Sequence, residues 1–263
     1  MSQNEILYTH SSIAIAITLF FAMVIFNEGG FRVGSFVQSR TGSEVKTLTG
    51  SIQASILGLL ALLLGFTFSM SMQRYDNRSI ALIDEANAIG TAILRVQLLP
   101  EAFKAEADAL FKEYVGLRVD IGQLDLTKLD ERSVYNKQIA NIQNKLWSLA
   151  VAATELDARP VTTGAFVQSL NDVIDSQGKR NALLHMHVPE VVLLLLFVVF
   201  ISSGGIMGYS AGLSGKRMVA PIALVSVLIT LIVFIIVDLD RPKRGLIQID
   251  QSFMVELRDG FKS

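Results

Sequence analysis

Four stretches of this chain, residues 13–31, 51–72, 188–209 and 218–237, are each apolar over a length that can cross a bilayer. A span of the hydrocarbon core needs roughly 20 such residues. Inside lipid every backbone N–H and C=O must bond within the protein, so each stretch is expected to be a helix. The second, SIQASILGLLALLLGFTFSMSM, and the fourth, MVAPIALVSVLITLIVFIIV, carry no charge at all. The first has Glu28 near its end, in NEGG, where the glycines predict that the helix stops; the third has Glu190 at its mouth. The first stretch lacks a basic leader and a small-x-small cleavage site, so it reads as a span rather than a signal peptide. Composition agrees: 51% of residues are hydrophobic and only 18% charged, against about 25% charged in soluble domains. An ordinary soluble enzyme and a disordered chain are both excluded. The net charge of −1 gives no basic field for nucleic acid. With no cysteines, disulfides, zinc–thiolate sites and cysteine nucleophiles are ruled out as well.

The expected fold is therefore an all-α integral membrane protein of four transmembrane helices, with a helical bundle inserted between the second and third. Residues 1–72 form the first membrane pair, 73–187 the bundle, 188–237 the second pair and 238–263 a tail. The inserted region has a mixed, nearly balanced set of charges suited to water. Its first helix continues from span two until Pro100. A second places Phe103, Leu110, Phe111, Tyr114, Leu117 and Ile121 at helical spacing. A third begins at Thr127, with Asp130 three positions on as an approximate capping box. It presents Tyr135, Ile139, Ile142, Leu146, Leu149 and Ala153. A fourth runs from about Thr162 through Phe166, Leu170, Val173 and Ile174 into His187, so that the last bundle helix extends span three with a kink at Pro189. Trp147 reads as a core anchor.

An even number of spans puts both termini and the bundle on one side. Arg74, Arg78, Lys179, Arg180, Arg241, Lys243 and Arg244 flank the spans there, against Arg32, Arg40, Lys46, Lys216 and Arg217 opposite. The excess favours a cytoplasmic bundle in a bacterial inner membrane. The first span, with no positive residue before it, argues the reverse.

Polar residues in or beside spans are costly and point to function. On a helix, Gln53, Leu57, Leu60, Leu64, Thr67, Ser71, Arg74 and Arg78 fall along one stripe that is apolar in the middle and ends in two arginines. In an oligomer such a stripe can line a pore, with a hydrophobic constriction followed by a ring of positive charge. The alternative is that Thr67 and Ser71 bond their own helix carbonyls while the arginines anchor at phosphate headgroups. Beside it, Asp76, Arg78, Asp84 and Glu85 leave span two, and Asp238, Asp240 and Arg241 leave span four on the same side. These are expected to pair across helices. The acids could otherwise offer oxygens to a hard cation, though nothing has EF-hand spacing. Gly204, Gly208 and Gly212, four residues apart, predict close helix packing within or between chains. His185 and His187, two apart on a helix, point away from each other and make a poor metal pair. No nucleophile-elbow, zincin, P-loop or dinucleotide motif occurs. No catalytic, metal or cofactor residues are singled out, and no enzyme is expected.

The segments LLGFTFSMSMQRYDNRSIALIDEANAIGTA, residues 63–92, and VDLDRPKRG, residues 237–245, resemble those of the bacterial bestrophin-like membrane proteins. The pattern extends over most of the chain, and more distantly it is similar to the bestrophin anion channels. That resemblance implies a homo-oligomer, a pentamer by analogy, that conducts inorganic ions along a pore lined by span two. It also implies a hydrophobic neck at Leu63, Phe66 and Met70, on a face adjacent to Thr67, Ser71 and Arg74. Bacterial relatives can prefer cations, and no acidic calcium clasp follows the last span. The expected function is thus an ion channel, anion-conducting on this reading. A non-conducting membrane scaffold or stress sensor acting through its bundle is the alternative.

Overall fold

The computed structural model describes residues 11–124, 128–217, 219–241 and 245–261; Thr127, Lys243 and Arg244 lie outside them. The described residues form helices, with no strand. In chain order these are α1 (Ser12–Val37), α2 (Ser43–Val96), α3 (Glu101–Gln123), α4 (Leu129–Leu156), α5 (Ala165–Leu184), α6 (Glu190–Leu213), α7 (Val219–Leu239) and α8 (Ser252–Asp259). Helices α1, α2, α6 and α7 are long and apolar enough to cross a membrane.

The chain divides into two compact units. The membrane unit comprises Met1–Arg74, His187–Arg241 and Gly245–Ile247, and the helical unit comprises Tyr75–Met186, Pro242–Arg244 and Gln248–Ser263. Helix α2, 54 residues long, contributes to both.

In the membrane unit the first helix does not stop at its glycines. It runs on through Gly29 and Gly30 to Val37. A Cβ on Gly30 would overlap the carbonyl oxygen of Gly205, and one on Gly34 the carbonyl oxygen of Tyr209. From the other side, Gly208 lies against the carbonyl of Asn27 and Gly212 against that of Phe31. The glycines are there to let α1 and α6 approach backbone to backbone, the usual device where lipid offers no hydrophobic drive. The small-residue series of α6 is therefore used within the chain. Asn27 Nδ2 adds a bond to the Gly204 carbonyl at 3.1 Å. Leu19, Met23, Leu60, Leu64, Phe200 and Val233 form the apolar centre of this unit.

The helical unit follows the apolar periodicity closely. Phe111, Tyr114 and Ile121 of α3, Ile139, Ile142, Leu146 and Ala153 of α4, and Phe166, Leu170 and Val173 of α5 share one core with Ile89 and Val96 of α2. Phe111 and Phe166 meet edge to face, centroids 6.4 Å apart. Removing such a ring costs ~3–5 kcal/mol. Met254 of α8 is buried in the same core. Trp147 is not: it is 40% exposed, because it follows Leu146 by one residue and so turns about 100° off the buried face.

The junction after α5 also departs from expectation. The helix ends at Leu184, and Pro189 stands just before α6 as its N-cap residue. Pro189 breaks the path rather than kinking it, since a residue preceding proline is pushed out of the helical region.

Candidate functional site

Helix α2 is read from its exposed and covered faces. Leu60, Leu64, Thr67 and Ser71 are buried within the chain and Arg74 is partly covered, so the polar stripe seen in the sequence faces the protein's own helices. Thr67 Oγ1 donates to the carbonyls of Leu63 and Leu64 at 2.7 and 3.2 Å. That is the local bonding expected as the alternative to a pore-lining role. Ser71 Oγ is buried without a hydrogen-bond partner among the described residues. Leu63 and Met70 are half-covered against the membrane unit's core, whereas Phe66 is 62% exposed.

The face left open on α2 carries Leu59, Leu62 and Phe66, then Ser69, Gln73 and Asp76. These step by three or four residues, so they share one side of the helix. Of the residues expected at a pore, Phe66 lies on this open face, Leu63 and Met70 are half-covered, and Thr67 and Ser71 lie on the covered side with Arg74 at its end.

The flanking charges find partners within each unit. Asp240, buried, accepts the Val188 N–H on both carboxylate oxygens, at 3.1 and 2.9 Å. Arg74 Nε lies 4.0 Å from its Oδ1, and His187 Nδ1 lies 3.2 Å from its backbone oxygen. Asp238, also buried, accepts from Ser12 Oγ at 2.6 Å and from the Ile247 N–H at 2.9 Å. Gly245 is pressed against that carboxylate, where any Cβ would come within 2.7 Å. Asp238 and Asp240 thus tie the end of α7 to the start of α1, to the entry of α6 and to Ile247. Arg241 is buried beside them.

In the helical unit, Arg78 donates to the carbonyls of Leu183 and Met186 at 3.1 and 2.6 Å. A cation there satisfies the terminal acceptors of α5. Asp76 is exposed, and Asp84 pairs with Lys179 at 3.0 Å in solvent. Glu85 is fully buried, with Arg118 bridging both its oxygens at 2.5 and 2.9 Å and Arg180 adding a bond at 2.7 Å. Arg180 also donates to Gln251 Oε1 at 2.9 Å, next to α8. Burial draws Arg118 down, but the charge of Glu85 outweighs it and holds the guanidinium above its usual value. For Arg180 burial prevails, and its value falls. Burial likewise pushes the Tyr114 hydroxyl up. Two guanidiniums share one carboxylate, so this interior carries a surplus positive charge. Glu85 was singled out from the sequence, but Arg118 as its partner was not. The clue was a charge on the apolar face of α3, four residues after Tyr114.

Among the described residues no group of three or more His, Asp or Glu is placed to hold a metal ion.

Among the described residues the architecture is helical and without strands, with four helices apolar enough to span, as in an integral membrane protein. A profile of the bestrophin-like domain matches residues 15–254, and the chain belongs to that family. Its fold is also similar to crystal structures of a bacterial bestrophin homologue from Klebsiella pneumoniae. A Trp-to-Ala variant aligns with TM-score 0.66 at 16% identity, covering 96% of this chain and 97% of the other. A Tyr-to-Ala variant gives 0.64 at 15% identity over 93% and 97%. No curated protein sequence matches significantly.

Proposed function

We propose that this chain is the subunit of an oligomeric ion channel in which α2 faces a central pathway. The observation that carries the reading is the open face of α2, large and apolar at Leu59, Leu62 and Phe66 and polar beyond, on a helix whose other side is covered within the subunit. Brought together around an axis, such faces make a narrow apolar neck that gates by excluding water, leading into a wetted mouth. Phe66 is its narrowest ring, with Leu63 and Met70 supporting it from the half-buried flank. Membership of the bestrophin-like family supports conduction, and by analogy the assembly is a pentamer. The basic residues flanking the spans support an inner-membrane setting with the helical unit and both termini in the cytoplasm.

Anion conduction is the first reading, from the bestrophin resemblance and from Arg74. Cation conduction is the second, favoured by the position of Asp240 beside Arg74, which offsets its charge, and by the exposure of Asp76. Planar-bilayer recording under an asymmetric potassium chloride gradient decides. Reversal near the chloride potential, moved by Arg74→Ala, supports the first; reversal near the potassium potential, moved by Asp76→Asn, supports the second. In either case Phe66→Ala is expected to raise conductance by several-fold. Unchanged currents in Phe66→Ala would remove it from the neck.

A further inference from the structure

The side of the membrane unit formed by α1 and α7 carries two adjoining hollows, in line along the helices, that the channel reading does not use. The upper hollow, about 190 Å³, is lined by Val24, Phe31, Ile222 and Ala223 and has Glu28 and Arg217 at its mouth. The lower hollow, about 370 Å³, is walled by Ile17, Phe21, Val227, Leu231 and Phe234. Phe20 borders both, so that they make one slot. From Ala16 to Glu28 the wall rises about 18 Å at 1.5 Å per residue, a length suited to an extended alkyl chain.

The polar atoms within it are turned away. Ser226 Oγ donates to the Ile222 carbonyl at 2.8 Å and Thr230 Oγ1 to the Ser226 carbonyl at 2.7 Å. Asn27 spends its amide on Gly204. The slot is therefore largely apolar along its length, and its charge is gathered at one end. There the guanidinium of Arg217 stacks 4.4 Å from the Phe31 ring and is 59% exposed. The carboxylate at this mouth, Glu28, is taken up by Arg32 at 2.9 Å and by Arg217 at 3.3 Å. With Lys216 exposed next to Arg217, three cations stand against one acid.

We infer that this slot is a binding site for one anionic phospholipid, with an acyl chain along α1 and α7 and the phosphate on Arg217. A dry slot ending in a surplus of positive charge matches an amphiphile with a negative head. A planar guanidinium already oriented by stacking is suited to bind phosphate through paired donors.

The test is native mass spectrometry of the full chain, exchanged into phosphatidylglycerol or phosphatidylcholine with identical acyl chains. It reads bound lipid and does not depend on conduction. The expected result is at least tenfold greater retention of phosphatidylglycerol. Arg217→Ala should lower that to the phosphatidylcholine level, and Arg217→Lys, which keeps the charge but loses the stacked, paired donors, should keep only part of it. Ala223→Phe should displace both lipids by filling the slot, with Val227→Phe as the substitute if that variant does not fold. Equal retention of the two lipids would overturn the inference, as would preference surviving Arg217→Ala. So would loss of the oligomer with unchanged lipid in Ala223→Phe, which would make a second copy the occupant.

Discussion

In the membrane unit the closest approaches are backbone to backbone, glycine against carbonyl, whereas in the helical unit they are side chain to side chain around Phe111, Tyr114 and Phe166. The difference follows from the solvent each sequence is written for. Water rewards burial of apolar area by ~25 cal/mol per Å², so the helical unit gathers large side chains. Lipid gives no such reward between helices, and the membrane unit gains instead from close contact along α1 and α6. Ions follow a different rule. The helical unit encloses a charged triad, while the membrane unit uses its acids to bind N–H and O–H groups at chain ends.

The largest expected effect lies at Glu85. Glu85→Ala leaves Arg118 and Arg180 buried without their carboxylate, and is expected to cost ~3–5 kcal/mol. Thermal unfolding followed by circular dichroism measures it; a variant within 1 kcal/mol of the parent, on the order of a conventional hydrogen bond, would mean the triad is not a stability element. Next is Gly30→Ala, which forces α1 off α6 and should cost ~1–3 kcal/mol by overpacking. Its neighbour provides the control. Gly29 faces open space, so Gly29→Ala should be neutral or gain up to ~1 kcal/mol in helix propensity. Equal effects of the two substitutions on detergent-melt midpoints would refute the close-approach account. The smallest effect sharpens the triad. Asp84 and Lys179 are sequence neighbours of Glu85 and Arg180, yet their bridge is 45% and 57% exposed. Lys179→Ala should therefore change stability by no more than ~0.5 kcal/mol, visible as a near-superimposable melt.

Periodicity made the helices and most buried positions of α3, α4 and α5 legible, because a solvent-facing bundle must segregate apolar residues every three to four positions. Trp147 escaped that reading since size suggested burial while its register denied it. In the membrane unit periodicity distinguishes less. Both sides of α2 are apolar there, so composition could not tell the covered face from the open one, and polarity pointed to Thr67 and Ser71 on the covered side. Gly29 and Gly30 looked like a helix end for a related reason: in water glycine frays a helix, but beneath a neighbouring backbone it is the residue that fits. Partners were the least legible. Nothing local to Asp238 identifies Ser12, and nothing local to Glu85 identifies Arg118, since both pairings depend on how distant helices are brought together.

The bond between Ser12 and Asp238 joins residues 226 positions apart, and that separation sets a timetable for synthesis. The ribosome delivers α1 first, with its glycine face bare and its opening hydroxyl unanswered. Phe111, Ile142 and Phe166 of the helical unit all emerge before the partner helices α6 and α7 have been made. The glycine face of the first span must wait in the bilayer until α6 has been made, and Ser12 until Asp238 has followed it. A chain that stops before α6 leaves that glycine face uncovered, so a premature stop there is expected to remove the protein rather than merely shorten it.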